Sequence, residues 1–182
     1  MEPKSVSKNN LVEKNLLFSK EWTVSFDYKP KMTAIPGWTN IFHFTTGSNH
    51  GQCGSRYPAA WIHPNSKNKI HICSCVNNNH NHCQDYKLED DWNTFQIGQR
   101  KSSDDQHVYF EYFIKLNGAI RHTIINDNAK EMTDLTLYAS DPWHTQANGL
   151  LQNLEARTID HLSQSKNFIG YRFPRNPREN PP

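Results

Sequence analysis

The segment Gln106–Ile125, which reads QHVYFEYFIKLNGAIRHTII, predicts a β-hairpin and decides the fold class. From Val108 to Leu116 the even-numbered side chains are apolar, whereas most odd-numbered ones are polar or amphipathic. Side chains of a strand point alternately to opposite faces, so this period of two predicts a half-buried strand. Asn117-Gly118 then interrupts the pattern with residues that tolerate the positive φ of a tight hairpin turn. We expect the rest of the domain to pack against this hairpin.

Several other segments have the patterns of strands. Trp22–Lys29 alternates apolar and polar residues, and Trp38–Thr45 is almost continuously apolar, which predicts burial on both faces. Shorter candidates are Ala59–His63, Lys69–Val76, Trp92–Gln99, Leu135–Ala139 and Leu150–Ala156. About nine or ten short strands separated by turn residues, without a helical period, are typical of an antiparallel β-sandwich or jelly roll. The sequence therefore predicts an all-β fold.

The length of 182 residues fits one domain of this class. Residues 1–17 are polar and rich in Lys and Asn, so we predict a flexible N-terminal segment. The β-sandwich domain is expected to span residues 18–167. Residues 168–182 are rich in Pro, Arg and Asn, which predicts a flexible tail.

The charge distribution argues against a polyanionic partner. The chain has 20 basic and 18 acidic residues, a formal net charge of +2, and no long run of either sign. Binding to nucleic acid or to an anionic membrane usually needs a basic patch, so neither is predicted. No apolar run is long enough to cross a bilayer, and the N-terminus lacks the pattern of a signal peptide. A secreted protein would therefore be present here in processed form.

Four cysteines lie close together in a segment rich in Asn and His: Cys53, Cys73, Cys75 and Cys83. Two disulfides would indicate an oxidising, extracellular environment. The alternative is a metal site that draws on His71, Cys73, Cys75, His80, His82 and Cys83. The cysteine spacing fits no zinc-finger or zinc-ribbon pattern, which favours disulfides. Cys73 and Cys75 share a strand face and should not bridge one another, but the pairing is otherwise open.

Seven segments, in order, carry a resemblance to a known family. They are WTVSFDYKP from Trp22, GWTNIFHFT from Gly37, PAAWIHP from Pro58, KIHICS from Lys69, FIKLNG from Phe113, LYASDPW from Leu137 and ANGLLQNL from Ala147. Together they resemble the concanavalin A-like lectin/glucanase superfamily, and within it the laminin-G-like domains of secreted and cell-surface proteins of marine invertebrates. The resemblance covers roughly residues 22–154, and this fold hosts lectins, adhesion modules and glycanases alike.

The resemblance implies several structural features. It implies a jelly roll in which the 106–125 hairpin is a central pair of strands. It also implies a Cys73–Cys83 disulfide, which leaves Cys53 and Cys75 to pair by elimination. One departure is Gly54-Ser55-Arg56, where the family often has Gly-Asp-Arg. Ser55 lacks the carboxylate of that Asp, which argues against a charge-based role for this loop.

Catalysis is not predicted. A glycanase of this superfamily needs paired carboxylates on one strand, typically Glu-x-Asp-x-x-Glu, and the sequence contains no such motif. The Gly-x-Ser-x-Gly nucleophile motif is also missing. We predict a secreted, non-catalytic binding module that recognises a glycan or other small extracellular ligand through rim loops. The alternatives are a carrier of an apolar ligand or pigment, in an aromatic-lined cleft or at a homo-oligomer interface, and a disfavoured glycan hydrolase.

Candidate binding residues follow from this hypothesis. Sugars and flat apolar ligands stack on aromatic faces, and the candidates at or near the predicted loops are Tyr57, Trp61, Trp143, His144 and Asn148. Related domains often bind calcium through oxygen ligands, for which Asp141 and then Asp127 are the candidates. The alternative interpretation is that Asp141 begins a Pro turn. His43, between two Phe residues, is expected to be a hydrogen-bonded core residue.

Overall fold

A computed structural model describes residues 8–104 and 107–159, together with the backbone of residues 166–170. The described residues form thirteen strands: β1 (Leu11–Phe18), β2 (Trp22–Pro30), β3 (Thr39–Thr45), β4 (Ala59–Ile62), β5 (Lys69–Val76), β6 (Asn79–Lys87), β7 (Asn93–Ser103), β8 (Val108–Leu116), β9 (Ala119–Ile125), β10 (Met132–Tyr138), β11 (Thr145–Gln146), β12 (Gly149–Ile159) and β13 (Lys166–Gly170). None of these residues belongs to a helix long and apolar enough to span a lipid bilayer.

The strands form two sheets, and the predicted antiparallel β-sandwich is confirmed. Sheet A has the strand order β1-β10-β3-β4-β5-β6, and the short β11 pairs with β3 in parallel. Sheet B has the order β13-β12-β2-β7-β8-β9. Because strands distant in sequence are neighbours in both sheets, the chain crosses repeatedly between the two layers.

An aromatic core fills the space between the sheets. Phe26 and Phe95 are neighbours on sheet B and stack with ring centroids 5.0 Å apart. Phe42 of sheet A meets Phe26 edge-on at 4.8 Å, and Trp22 packs on Tyr57 at 5.2 Å. Each such ring buries roughly 150–250 Å², so these contacts dominate the hydrophobic stabilisation of the fold.

The predicted hairpin is confirmed as β8 and β9, joined at Asn117-Gly118, whose φ angles are 51° and 81°. Its expected central position is wrong, because β9 is the edge strand of sheet B. The predicted burial of Val108 is also wrong, since this side chain is 61% exposed. β7 and β8 remain paired as far as Ser103 and Val108, whereas β2 pairs with β7 only as far as Gln99. This end of the β7–β8 pair therefore lies beyond the core, and Val108 is exposed there.

The domain extends beyond both predicted boundaries. β1 pairs with β10 and buries Leu16 and Phe18, so the domain begins before residue 18. Asn15 interrupts β1 with a φ of 57°, which breaks the alternation that would have indicated a strand. At the other end, β13 includes residues 168–170, which were assigned to the flexible tail. Residues 1–7 and 171–182 lie outside the described part of the chain.

The turn between β5 and β6 is short. Only Asn77 and Asn78 form the turn, with φ angles of 52° and 59°, and β6 starts at Asn79. Among the described strands, β6 pairs with β5 alone and forms an edge of sheet A, so it lacks the hydrophobic period of a half-buried strand. Polar and charged side chains on an edge strand also discourage pairing with another chain.

Two disulfides are present, Cys53–Cys75 and Cys73–Cys83, the pairing that the resemblance implied. Cys73 and Cys83 lie directly opposite each other on β5 and β6. A shift in register before Val76 interrupts the alternation of β5, and Cys75 packs in the core whereas Cys73 packs outside it. All four sulfurs are paired, so no thiolate remains for the alternative zinc site. The two disulfides are compatible with an extracellular protein.

Candidate functional site

The outer face of sheet A, which points away from sheet B, carries rows of aromatic and polar side chains. Trp61 of β4 lies opposite His71 of β5, and His71 lies opposite Asp85 of β6. His63 follows Trp61 by two residues and therefore joins the same face. The neighbouring row consists of Tyr138, His43, Ala59, Cys73 and Cys83.

Two loops fold over this face. The loop between β3 and β4 places the carbonyl oxygen of Ser55 at 2.6 Å from Nε2 of His43. It also places the guanidinium of Arg56 over the ring of Trp61, at 4.8 Å from the centroid, in a cation–π contact. Trp61 is therefore only 2% exposed. The loop after β10 brings Asp141 and the residues that follow it onto the same face.

Asp141 is buried and accepts hydrogen bonds at both carboxylate oxygens. Oδ1 accepts the backbone N–H groups of Trp143 and His144 at 3.0 and 2.8 Å, which confirms that Asp141 begins a turn over Pro142. Oδ2 accepts from Nδ1 of His43 at 2.8 Å and lies 2.9 Å from Nδ1 of His144. The carboxylate thus joins β3 to the loop that carries Trp143.

Hydrogen bonds hold His43 in place and set the charge of Asp141. Both ring nitrogens of His43 face oxygen atoms, the carbonyl of Ser55 and the carboxylate of Asp141, so the imidazole is held at both ends. Burial alone would raise the pKa of Asp141, but hydrogen bonds from His144 and His43 outweigh it and hold the pKa well below the ordinary value of 3.8. His43 is hydrogen-bonded and buried, as expected, but its side chain lies on the outer face of sheet A rather than in the core between the sheets.

A second polar cluster surrounds Asp85 at the β5–β6 edge of the face. Its Oδ1 lies 2.6 Å from Nδ1 of His71 and 2.9 Å from Nε2 of His63, while Oδ2 accepts from Nζ of Lys69 at 2.8 Å. Burial would raise the pKa of Asp85, but hydrogen bonds from Lys69, His71 and His63 lower it well below 3.8. The ring of Trp38 packs on both imidazoles, with centroids at 4.4 and 4.9 Å.

A continuous series of rings connects the two clusters. It runs Trp38, His71, Trp61, His43 and Trp143, and neighbouring centroids are 4.9 to 6.3 Å apart. Trp38 is 37% exposed and Trp143 is 40% exposed, while Trp61 and His43 between them are buried. The outer face of sheet A therefore presents two accessible indoles, one at each end of this series.

The structure brings three of the five predicted binding residues together. Trp61, Trp143 and His144 contact one another or His43 on the outer face of sheet A. Tyr57 as a binding platform is wrong, because it packs in the core at 1% exposure, where burial raises its pKa to about 12. Trp61 is a support rather than a platform, because Arg56 and its neighbours cover it.

Asn148 lies apart from this face. Its carbonyl oxygen accepts from the hydroxyl of Tyr28 and from the backbone N–H of Lys31. Asn148 also lines a depression on the surface, together with Lys31, Thr33, Ile35, Thr39, Ile62, Ser66 and Lys67. This lining of polar and aliphatic side chains differs from the aromatic-lined cleft expected of a pigment carrier.

The two calcium candidates lie in different surroundings. Asp141 directs its carboxylate at N–H donors, which a calcium ion would have to replace. Asp127 is exposed, and its backbone N–H donates to Asn77 at the β5–β6 turn. Calcium binding at either residue stays a prediction.

Sequence reasoning missed Trp38, His63, Asp85 and Arg56 as members of the face. The signal for His63 was present, because it follows Trp61 by two residues, but Asp85 required knowledge of the β5–β6 register. Comparison of the chain with models of known families and with curated proteins finds no match by sequence.

Proposed function

We propose that this protein is a secreted, non-catalytic binding module that recognises an oligosaccharide on the outer face of sheet A. The observation that carries the proposal is the pair of exposed indoles, Trp38 and Trp143, at the two ends of one series of rings. The resemblance to lectin-like domains supports the same class of function. The two disulfides support an extracellular location.

The chemistry of the face suits a carbohydrate. The flat C–H face of a pyranose packs on an indole, and its hydroxyl groups need both donors and acceptors nearby. Arg56 and His144, which are half-buried, offer N–H groups, and Asp85 offers carboxylate oxygens. A chain of several sugars would contact both indoles, whereas a single sugar would contact one.

Hydrogen bonds hold the side chains that lie under each indole. His43, which lies beneath Trp143, is fixed by hydrogen bonds at both ring nitrogens. Trp38 rests on two imidazoles that Asp85 holds in place. A platform that is ordered before binding loses little conformational entropy when the ligand arrives.

A glycan array with the disulfide-bonded protein tests the proposal. The expected result is binding to a defined set of oligosaccharides, with signals that Trp143→Ala and Trp38→Ala both reduce. Ile120→Ala is the matched control, because this residue is 52% exposed but lies on β9 of sheet B. Signals that persist unchanged in both tryptophan variants, or no signal for the wild-type protein, would contradict the proposal.

A further inference from the structure

We propose that His63, His71 and Asp85 form a binding site for a divalent transition-metal ion, with Zn²⁺ as the best-matched ion. This inference goes beyond oligosaccharide binding, although Asp85 belongs to both sites, and the site differs from the cysteine-based zinc site considered from the sequence. One nitrogen or oxygen atom from each residue lies within 4.8 Å of the other two. Two imidazoles and one carboxylate are a ligand set that suits Zn²⁺ and related ions.

The strand register builds the site. His71 and Asp85 lie directly opposite each other on β5 and β6, and His63 follows β4, which pairs with β5 on its other side. Nδ1 of His71 and Nε2 of His63 both face a single oxygen, Oδ1 of Asp85, at 2.6 and 2.9 Å. Bonds to zinc are about 2.0–2.1 Å long, so small side-chain rotations would place an ion between the three atoms.

Neighbouring groups orient the two histidine ligands. Nε2 of His71 lies 3.1 Å from the sulfur of Cys73, so its Nδ1 is directed at the site. Trp38 packs on both imidazole rings and restricts their rotation. Such outer contacts commonly orient the residues that bind a metal. The histidine side chains remain about one-fifth exposed, at 22% and 20%, so an ion can enter from solvent.

Charges near the site set its expected strength. Lys69 donates to Oδ2 of Asp85, which leaves Oδ1 for the ion but places a cation close to it. Arg56 also lies close enough to His71 to interact with it electrostatically. Both cations weaken binding, so removal of the charge at Lys69 should strengthen it.

The test is calorimetric titration of the disulfide-bonded protein with Zn²⁺, repeated with Co²⁺ to record its visible absorption. We expect one ion per chain, and an affinity at least about tenfold lower in His63→Gln and Asp85→Asn. His107→Gln is the control, because this histidine has a 74% exposed side chain outside the cluster. Lys69→Gln should bind severalfold more tightly than the wild-type protein.

Three outcomes would overturn the proposal. They are no stoichiometric binding to the wild-type protein, equal affinity in the wild-type and His63→Gln proteins, and weaker binding in Lys69→Gln. Near-UV circular dichroism shows whether each variant keeps its fold. If the His63→Gln and Asp85→Asn variants unfold, the Lys69→Gln variant still tests the proposal. A cluster that only forms hydrogen bonds and binds no metal would show no gain in metal affinity when the charge of Lys69 is removed.

Discussion

Replacement of Asp141 by alanine should destabilise the fold by about 3–5 kcal/mol, because three N–H groups lose their acceptor and each buried donor left unsatisfied costs about 1–3 kcal/mol. His43 would keep a proton on Nδ1 without an acceptor, in a position with no exposure to solvent. The backbone N–H groups of Trp143 and His144 would lose their acceptor as well. Because the latter two groups are partly reached by water, the buried ring nitrogen of His43 contributes most of the loss.

Urea denaturation followed by tryptophan fluorescence at neutral pH measures this loss directly. Asp141→Asn keeps the shape of the side chain but directs an amide at a ring N–H, so it should lose most of the same free energy. Asp127→Ala is the matched control, because Asp127 is exposed, and it should change stability by no more than about 0.5 kcal/mol. A loss below about 1 kcal/mol for Asp141→Ala would refute the view that this pair stabilises the loop and sheet.

Three further predictions concern stability. Burial lowers the pKa of His82 and of His122 from the ordinary 6.5, so these histidines take up protons more readily in the unfolded chain, and the free energy of unfolding should fall as pH drops below about 6.5. Urea titrations at several pH values should show a weaker pH dependence of this free energy in a variant with Gln at both positions, and an unchanged pH dependence would contradict the prediction. Loop-closure entropy predicts that loss of the Cys53–Cys75 bridge, across 22 residues, costs about 3.4 kcal/mol, and that loss of Cys73–Cys83, across 10 residues, costs about 2.7 kcal/mol. Urea denaturation of two variants, each with both cysteines of one bridge replaced by alanine, measures these losses, and a larger loss for the Cys73–Cys83 bridge would argue against this reasoning. Gly98→Ala should cost about 1–3 kcal/mol, because a Cβ would lie 2.7 Å from a backbone oxygen of the neighbouring strand, and a neutral result in thermal denaturation would speak against this close packing.

The sequence predicts those strands in which every second side chain is buried in the core. β2 alternates buried and half-buried residues along its length, and the turn at Asn117-Gly118 has its expected backbone conformation. β1 and β6 escaped prediction for different reasons. Asn15 interrupts the alternation of β1, whereas β6 is an edge strand whose side chains are all at least partly exposed.

The candidate site was partly predictable because part of it is local. Asp141, Trp143 and His144 are close in sequence, and the Pro turn that joins them could be inferred from residue types alone. The cluster of His63 and Asp85 could not be inferred, because it depends on the register of three strands. Register follows from packing across the whole sheet rather than from any one segment.

The most direct test of the proposed function is calorimetric titration of the wild-type, Trp38→Ala and Trp143→Ala proteins with one oligosaccharide selected on the array. Loss of one indole platform removes a contact of about 1.5 kcal/mol, which corresponds to roughly a tenfold loss of affinity. We expect this loss in each variant, and tighter binding of longer oligosaccharides by the wild-type protein. Equal affinities in all three proteins would contradict oligosaccharide recognition on the outer face of sheet A.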